Sequence, residues 1–271
     1  MIGDVTVVGA GWIGRNLASS VGVEAIPQRG AADLAFRSGG VLIIAGGRSS
    51  VGASDDLSML IEEECSALRS MLEHAGQVGC RVVVLGSSDV CGSAEVITGA
   101  TPINPLTPYA RLKAAREQVV VDAIEAGVDA AIARIAPVHG PGKAQTARLV
   151  RLSRRRFIAV PGGTSHSVGF VTLDDLTRAI LSLTTSNQRG VMSIGAGVTP
   201  IGDLLRALGR AQGVTQRLIS VPVPFAAHLA QSRSTSIAWL GRFALPRRVE
   251  MEAPIEPMGL GEAARYLYGS G

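Results

Sequence analysis

Lysine is nearly missing from this 271-residue chain: Lys113 and Lys143 are the only two among 26 basic residues, and arginine supplies the rest. Cysteine occurs three times, as Cys65, Cys80 and Cys91. An odd, widely spaced set with no CxxC and no histidine-rich neighbourhood argues against a disulfide framework and a zinc site alike, and fits a reducing compartment. No apolar run approaches the roughly 18 residues of a membrane span. The N-terminus lacks the basic and apolar regions of a leader, so a cytoplasmic protein with no membrane partner is expected. The net charge of +4 comes from scattered arginines, with one cluster at Arg154, Arg155 and Arg156 that reads as a solvated helix end. With no basic tail interleaved with aromatics, nucleic acid is not an expected partner.

Apolar residues are plentiful, at 46% with a mean hydropathy of +0.30, which is ample for a buried core. Short runs rich in Val, Ile and Ala (5–10, 23–27, 41–47, 81–88 and 129–137) alternate with longer segments of helical period. In 57–72, Leu57, Leu60, Ile61, Cys65, Leu68, Met71 and Leu72 recur at three and four positions, with Glu62, Glu63 and Glu64 mostly opposite. Continuous apolar strands alternating with helices predict a doubly wound parallel sheet of the α/β class, a Rossmann fold, because each parallel crossover must return over the sheet. After about residue 140 the texture turns to Gly/Pro loops. The expected division is a dinucleotide-binding core at 1–139 plus 168–197, and a smaller substrate-binding lobe at 140–167 plus 198–271.

Gly9-Ala10-Gly11-Trp12-Ile13-Gly14 directly follows the first strand and opens a helix. In that context the first glycine makes the turn, the second lets backbone approach a pyrophosphate, and the third packs helix against strand. Where the second strand ends, an NAD enzyme would place an acid against the ribose. Here Gln28-Arg29 stands, and a guanidinium suits a 2′-phosphate, so NADP(H) is favoured over NAD(H), with Asp33 a late acidic alternative. Tyr109 and Lys113 fall one helical turn apart, and Ser87 and Ser88 end the fourth strand at the same sheet edge. A tyrosine needs a nearby cation before it exchanges protons near neutrality, and Lys113 is placed to be that cation, with a serine hydroxyl to hold the reacting oxygen.

With these residues in view, the sequence resembles the extended short-chain dehydrogenase/reductase family, which includes the NAD-dependent epimerase/dehydratases, as a shortened variant. "VVGAGWIGRNL", "VVVLGSSDVCG", "PINPLTPYARLKAAREQ", "ARIAPVHGPG" and "SVGFVTLDDLTRAI" look like its blocks in order over most of 4–200. The resemblance implies that Tyr109 is the catalytic acid/base, that Lys113 lowers its pKa and binds the nicotinamide ribose, and that Ser87 orients the reacting oxygen. It places Pro137 and Val138 beside the nicotinamide and Ala45-Gly46 along the middle of the cofactor. Ser88, Asp89 and His139 would line the substrate cavity, with Cys91 as packing. It further implies a small-molecule ketone substrate, by analogy a nucleotide-activated sugar, and a homodimer through the helices at 57–76 and 109–126. Epimerisation or dehydration, and a dinucleotide-binding regulator without turnover, are the competing functions. Two departures stand out: the glycine loop is one residue shorter than G-x-x-G-x-x-G, and few residues separate the second strand from "VLIIAGG", which leaves the adenine side open.

Overall fold

A computed structural model describes residues 4–28, 38–197, 199–221 and 247–269. Its centre is a six-stranded sheet built from β1 (Val5–Val8), β2 (Ala25–Ile26), β3 (Val41–Ile44), β4 (Arg81–Leu85), β6 (Ala130–Ile135) and β10 (Gly190–Ile194). The spatial order is β2-β1-β3-β4-β6-β10 and every pairing is parallel. Every residue of β3, β4 and β6 is buried, as expected for strands covered on both faces. Helices α1 (Trp12–Ser20) and α5 (Leu173–Thr185) contribute Leu17, Leu176, Ile180 and Leu183 to one face of the sheet. Helices α2 (Leu57–Val78) and α3 (Pro108–Glu125) pack on each other and bring Leu68, Leu72 and Val120 to the opposite face. The doubly wound parallel fold is therefore present.

Chain order reverses beside β1, which has β2 on one side and β3 on the other. A crevice at the carboxyl ends of such strands is where this topology takes ligands. Among the described residues no strand lies beyond β2, and the "VEAIP" run forms strand only at Ala25–Ile26.

A third core joins α4 (Ala144–Ser153), β8 (Phe157–Pro161), α6 (Ile201–Ala211) and α7 (Leu260–Tyr268) through Leu149, Ile158, Leu204, Leu208 and Leu267. Strand β8 pairs with β11 (Arg217–Val221). The tail after residue 246 is more regular than its sequence suggests. Strand β12 (Arg248–Val249) returns to pair with β5 (Val96–Ile97), while β7 (Val138–His139) pairs with β9 (Val171–Thr172). The Arg154–Arg156 cluster lies exposed at the end of α4.

Candidate active site

The glycine turn is built by close packing. Gly9 has φ +113, a conformation other residues adopt only under strain, and a side chain there would overlap the backbone of Ala45 and Gly46 at the end of β3. A side chain on Gly14 would overlap the Gly9 carbonyl, so helix and strand touch. Gly11 differs: a Cβ there would meet nothing within 4 Å. It is the N-cap of α1, supplies no side-chain cap, and is followed by no acid in the first turn. Open space above a helix start whose amides carry no side-chain partner suits a phosphate, so these residues fit a dinucleotide. Arg29 and Asp33, on which the choice between NADP(H) and NAD(H) turns, lie outside the described residues. Gln28 is described, and its amide lies against Gly46, spanning the mouth of the crevice from the β2 side.

The second half of the site comes from the next two strands. Ser87 follows β4 and caps a short 3-10 turn at Ser88–Cys91, its oxygen accepting from the Asp89 amide at 3.2 Å. Helix α3 starts where "LTPYA" dictates: Thr107 is the N-cap, its hydroxyl accepting from the Ala110 amide at 3.1 Å, and Pro108 occupies the first turn, where no donor is needed. Tyr109 thus begins the helix beside the 3-10 turn, near enough to Ser87 for that hydroxyl to lower its pKa. The preceding loop is pinned by Arg134, whose guanidinium pairs with buried Glu117 of α3 and donates to the carbonyls of Thr98, Gly99 and Thr101. One turn along α3, Lys113 Nζ lies 5.5 Å from the Tyr109 ring centroid. The sheet edge and this helix bring Ser87, Tyr109 and Lys113 together.

The electrostatics differ from the expectation that Lys113 lowers the phenol pKa. Burial pushes Tyr109 above its ordinary value; the Ser87 hydroxyl and the Arg116 charge pull it back, while Asp89 and Glu64 raise it. Lys113 is only 6% exposed, and burial first, then Arg116, pushes it down to about 8, against the pull of Glu64. The reason is desolvation, which disfavours both charged forms.

Arg116 and Glu64 were not among the residues anticipated. Arg116 Nη1 lies 3.1 Å from Glu64 Oε2 and Nη2 donates to the Gly46 carbonyl at 3.2 Å, while Glu64 Oε1 accepts from the Arg48 amide at 2.7 Å. Both side chains are buried. Together they tie the loop after β3 to α3, and that loop passes so close to Lys113 that a Cβ on Gly47 would stand 3.0 Å from both Lys113 Nζ and Glu64 Oε2. The signal was in the spacing: Glu64 sits four positions from Leu60 and from Leu68 on the buried stripe of α2, and Arg116 three beyond Lys113.

The remaining candidates fall as follows. Pro137 is exposed and Val138 buried, both just past the end of β6. Ser88 is fully buried and its hydroxyl has no hydrogen-bond partner. Asp89 pairs with Arg247 at 2.6 Å, and Arg247 also donates to the Gly92 carbonyl, so this arginine is held at the Ser88–Cys91 turn. His139 is not an open wall residue. It is buried with its ring edge-on to Phe170, Nδ1 is 3.3 Å from the Thr146 hydroxyl, and burial together with the Lys143 charge pushes its pKa down to about 4. Cys91 is buried packing whose thiol is pushed up by desolvation. Among the described residues no group of His, Cys, Asp and Glu could hold a metal ion, and no helix is long and apolar enough to cross a membrane.

Fold and site together define a dinucleotide-type α/β protein with a serine, a tyrosine and a lysine gathered at the strand ends. The model of the NAD dependent epimerase/dehydratase family matches residues 31–195, and the chain belongs to that family. Comparison with curated proteins gives no match. Among solved structures, UDP-N-acetylglucosamine 4-epimerase from Methanobrevibacter ruminantium, in complex with UDP-N-acetylmuramic acid, is similar at a TM-score of 0.75 and 14% identity, over 99% of this chain and 96% of that one. RMD from Pseudomonas aeruginosa, complexed with NADPH, aligns at 0.70 and 17% over 99% and 97%. UDP-glucose 4-epimerase from Thermotoga maritima, with UDP-glucose, aligns at 0.70 and 16% over 98% of each chain. At these identities the likeness is one of fold.

Proposed function

We propose that this chain is an NADP(H)-dependent reductase of a ketone carried on a nucleotide-activated sugar or a similar metabolite. The observation that carries the reading is the gathering of Tyr109, Ser87 and Lys113, with the Lys113 Nζ 5.5 Å from the Tyr109 ring, at the sheet edge that also carries the glycine turn. Gly9, Gly11, Trp12, Ile13 and Gly14 would hold the dinucleotide diphosphate, Ala45 and Gly46 its middle, and Pro137 and Val138 its nicotinamide end. When bound, a nicotinamide supplies or accepts hydride. The chain's own part is to place and discharge the oxygen. Ser87 accepts from the Asp89 amide, which leaves its hydroxyl proton free to donate, so it can hold the substrate oxygen beside Tyr109. Tyr109 gives that oxygen a proton, and Lys113 with Arg116 supplies positive charge as the phenolate develops. Residues 140–167 and 198–271 are assigned to the substrate lobe, and the nucleotide-sugar neighbours support that substrate class.

Family membership favours a second reading, epimerisation or dehydration, in which hydride is removed and returned to the same molecule. Dehydration additionally asks for an acid–base pair next to Ser87. Here Ser88 is buried and Asp89 is engaged by Arg247, which speaks against it. A regulator without turnover would bind dinucleotide and do nothing more.

One experiment separates the three. Wild type and Tyr109→Phe are titrated with NADPH and NADH by fluorescence, then assayed for cofactor oxidation with a panel of ketones and for isomer formation with UDP-sugars. The reductase reading expects equal cofactor binding, with turnover of a ketone by the wild type lowered at least a hundredfold in Tyr109→Phe. Isomer formation without net oxidation selects the epimerase, and tight NADPH binding with no turnover selects the regulator.

A further inference from the structure

The chain's other lysine stands at the opposite side of the glycine turn. Lys143 is the N-cap of α4, at the end of the His139–Lys143 loop that leads from β7, and its Nζ lies 5.0 Å from the centroid of the Trp12 ring. Trp12 is the first residue of α1, immediately after Gly11. Its Nε1 donates to the Pro141 carbonyl at 2.9 Å, so the indole is clasped by the loop that carries Lys143. The loop has its own brace, since the Thr146 hydroxyl accepts from the Gly140 amide at 3.0 Å and meets His139 Nδ1.

Lys143 is half-buried, yet among the described residues no carboxylate is within ion-pair range of it and no partner opposes its desolvation, which pushes its pKa down. Arg15, the other cation near the turn, is tied to the Ala10 carbonyl. An aromatic face can seat an ammonium, but it leaves the charge unneutralised. A partly desolvated cation, held on a ring that is itself anchored beside an open glycine turn, is a cation awaiting an anion.

We propose that Lys143 clamps the diphosphate of a bound dinucleotide against the glycine turn, with the Trp12 indole as its platform. This rests on the dinucleotide reading above and extends it: the clamp comes from the α4 side of the crevice, opposite the β2 edge where the described sheet stops. A nucleotide sugar also carries a diphosphate. The cofactor is the occupant favoured here because Trp12 is part of the glycine turn itself.

The test measures dissociation constants, not turnover. NADPH, ADP-ribose, adenosine and UDP-glucose are titrated by calorimetry against wild type, Lys143→Met and Lys143→Arg. The clamp predicts that Lys143→Met weakens NADPH and ADP-ribose about tenfold, leaves adenosine unchanged and lowers the salt sensitivity of ADP-ribose binding, while Lys143→Arg recovers most of the loss. In the unaltered protein, ADP-ribose should slow acylation of Lys143, read by mass spectrometry, which needs no folded variant. Unchanged ADP-ribose affinity in Lys143→Met, no protection of Lys143, or a loss confined to UDP-glucose would overturn the clamp while leaving the dinucleotide reading intact. A wild type that binds neither NADPH nor ADP-ribose overturns both.

Discussion

Replacing Glu64 with glutamine would remove one negative charge from a buried pocket that holds two cations, Lys113 and Arg116. Glu64 raises the Lys113 pKa and raises that of Tyr109, so both groups should titrate lower in the variant. The Lys113 shift can be followed as the pH dependence of its acylation rate, since the chain has one other lysine to resolve by mass spectrometry. Glutamine can keep the bond to the Arg48 amide but leaves Arg116 uncompensated, at a cost of about 3 kcal/mol in urea unfolding. An unshifted Lys113 profile would mean that the pair only braces the loop. The same residue marks the boundary of what sequence alone conveys. Tyr109, Lys113 and Ser87 are legible because their types are rare or stand at a recognisable spacing. A glutamate in a run of three reads as solvated surface, since a charge is assigned outward unless a partner is in view, and the partner Arg116 lies 52 positions away on another helix. The raised pKa of Tyr109 is illegible for a related reason: a pairwise attraction can be read from spacing, whereas desolvation depends on everything packed around the group.

At the scale of the element, α3 is set by its first turn. Thr107→Ala removes the hydroxyl that accepts from the Ala110 amide and should destabilise the protein by about 1 kcal/mol. Tyr109 lies two residues past the cap, so turnover should fall while dinucleotide affinity holds, and Thr107→Ser should restore turnover and stability. Gly47 offers a sharper case. Its φ is +116, and a Cβ there would press on Lys113 and Glu64, so Gly47→Ala is expected to lower stability by about 1–3 kcal/mol and to disturb Lys113 reactivity as well. Starts of helices and tight turns were legible because Thr-Pro and glycine have local causes. Helix α7 was not: its buried face is Ala263, Ala264 and Leu267, two small residues and one large, and it acquires its apolar neighbours only when α6 is beside it. Strand β12 is two residues long, and its partner β5 lies some 150 positions earlier in the chain, beyond the reach of any periodicity.

For the whole molecule, the buried His139 sets a pH response. The unfolded chain takes up a proton near pH 6.5, whereas the folded chain holds His139 neutral down to about 4. The unfolded state therefore binds more protons between those values, and stability falls as pH drops from 6.5 towards 4, by on the order of 2–3 kcal/mol, while above 6.5 this group contributes no slope. His139→Gln should flatten that part of the curve, measured as urea midpoints at pH 7 and 4.5; an unchanged difference would exclude His139 as the source. The parallel, doubly wound sheet followed from alternating patterns along the chain. The closing contacts that Arg247 makes to Asp89 and Gly92, and Glu252 to Gly99 and Ser193, did not, because each is a single contact between distant segments.

That closure has a consequence in time. Arg247 braces the turn after Ser87 through Asp89, 158 positions earlier, and Glu252 accepts from the amides of Gly99 and Ser193. A ribosome delivers the glycine turn first and these braces long afterwards. A chain that has emerged only as far as β10 thus carries its glycine turn and all six strands of the sheet while the turn after Ser87 is still without its Arg247 brace.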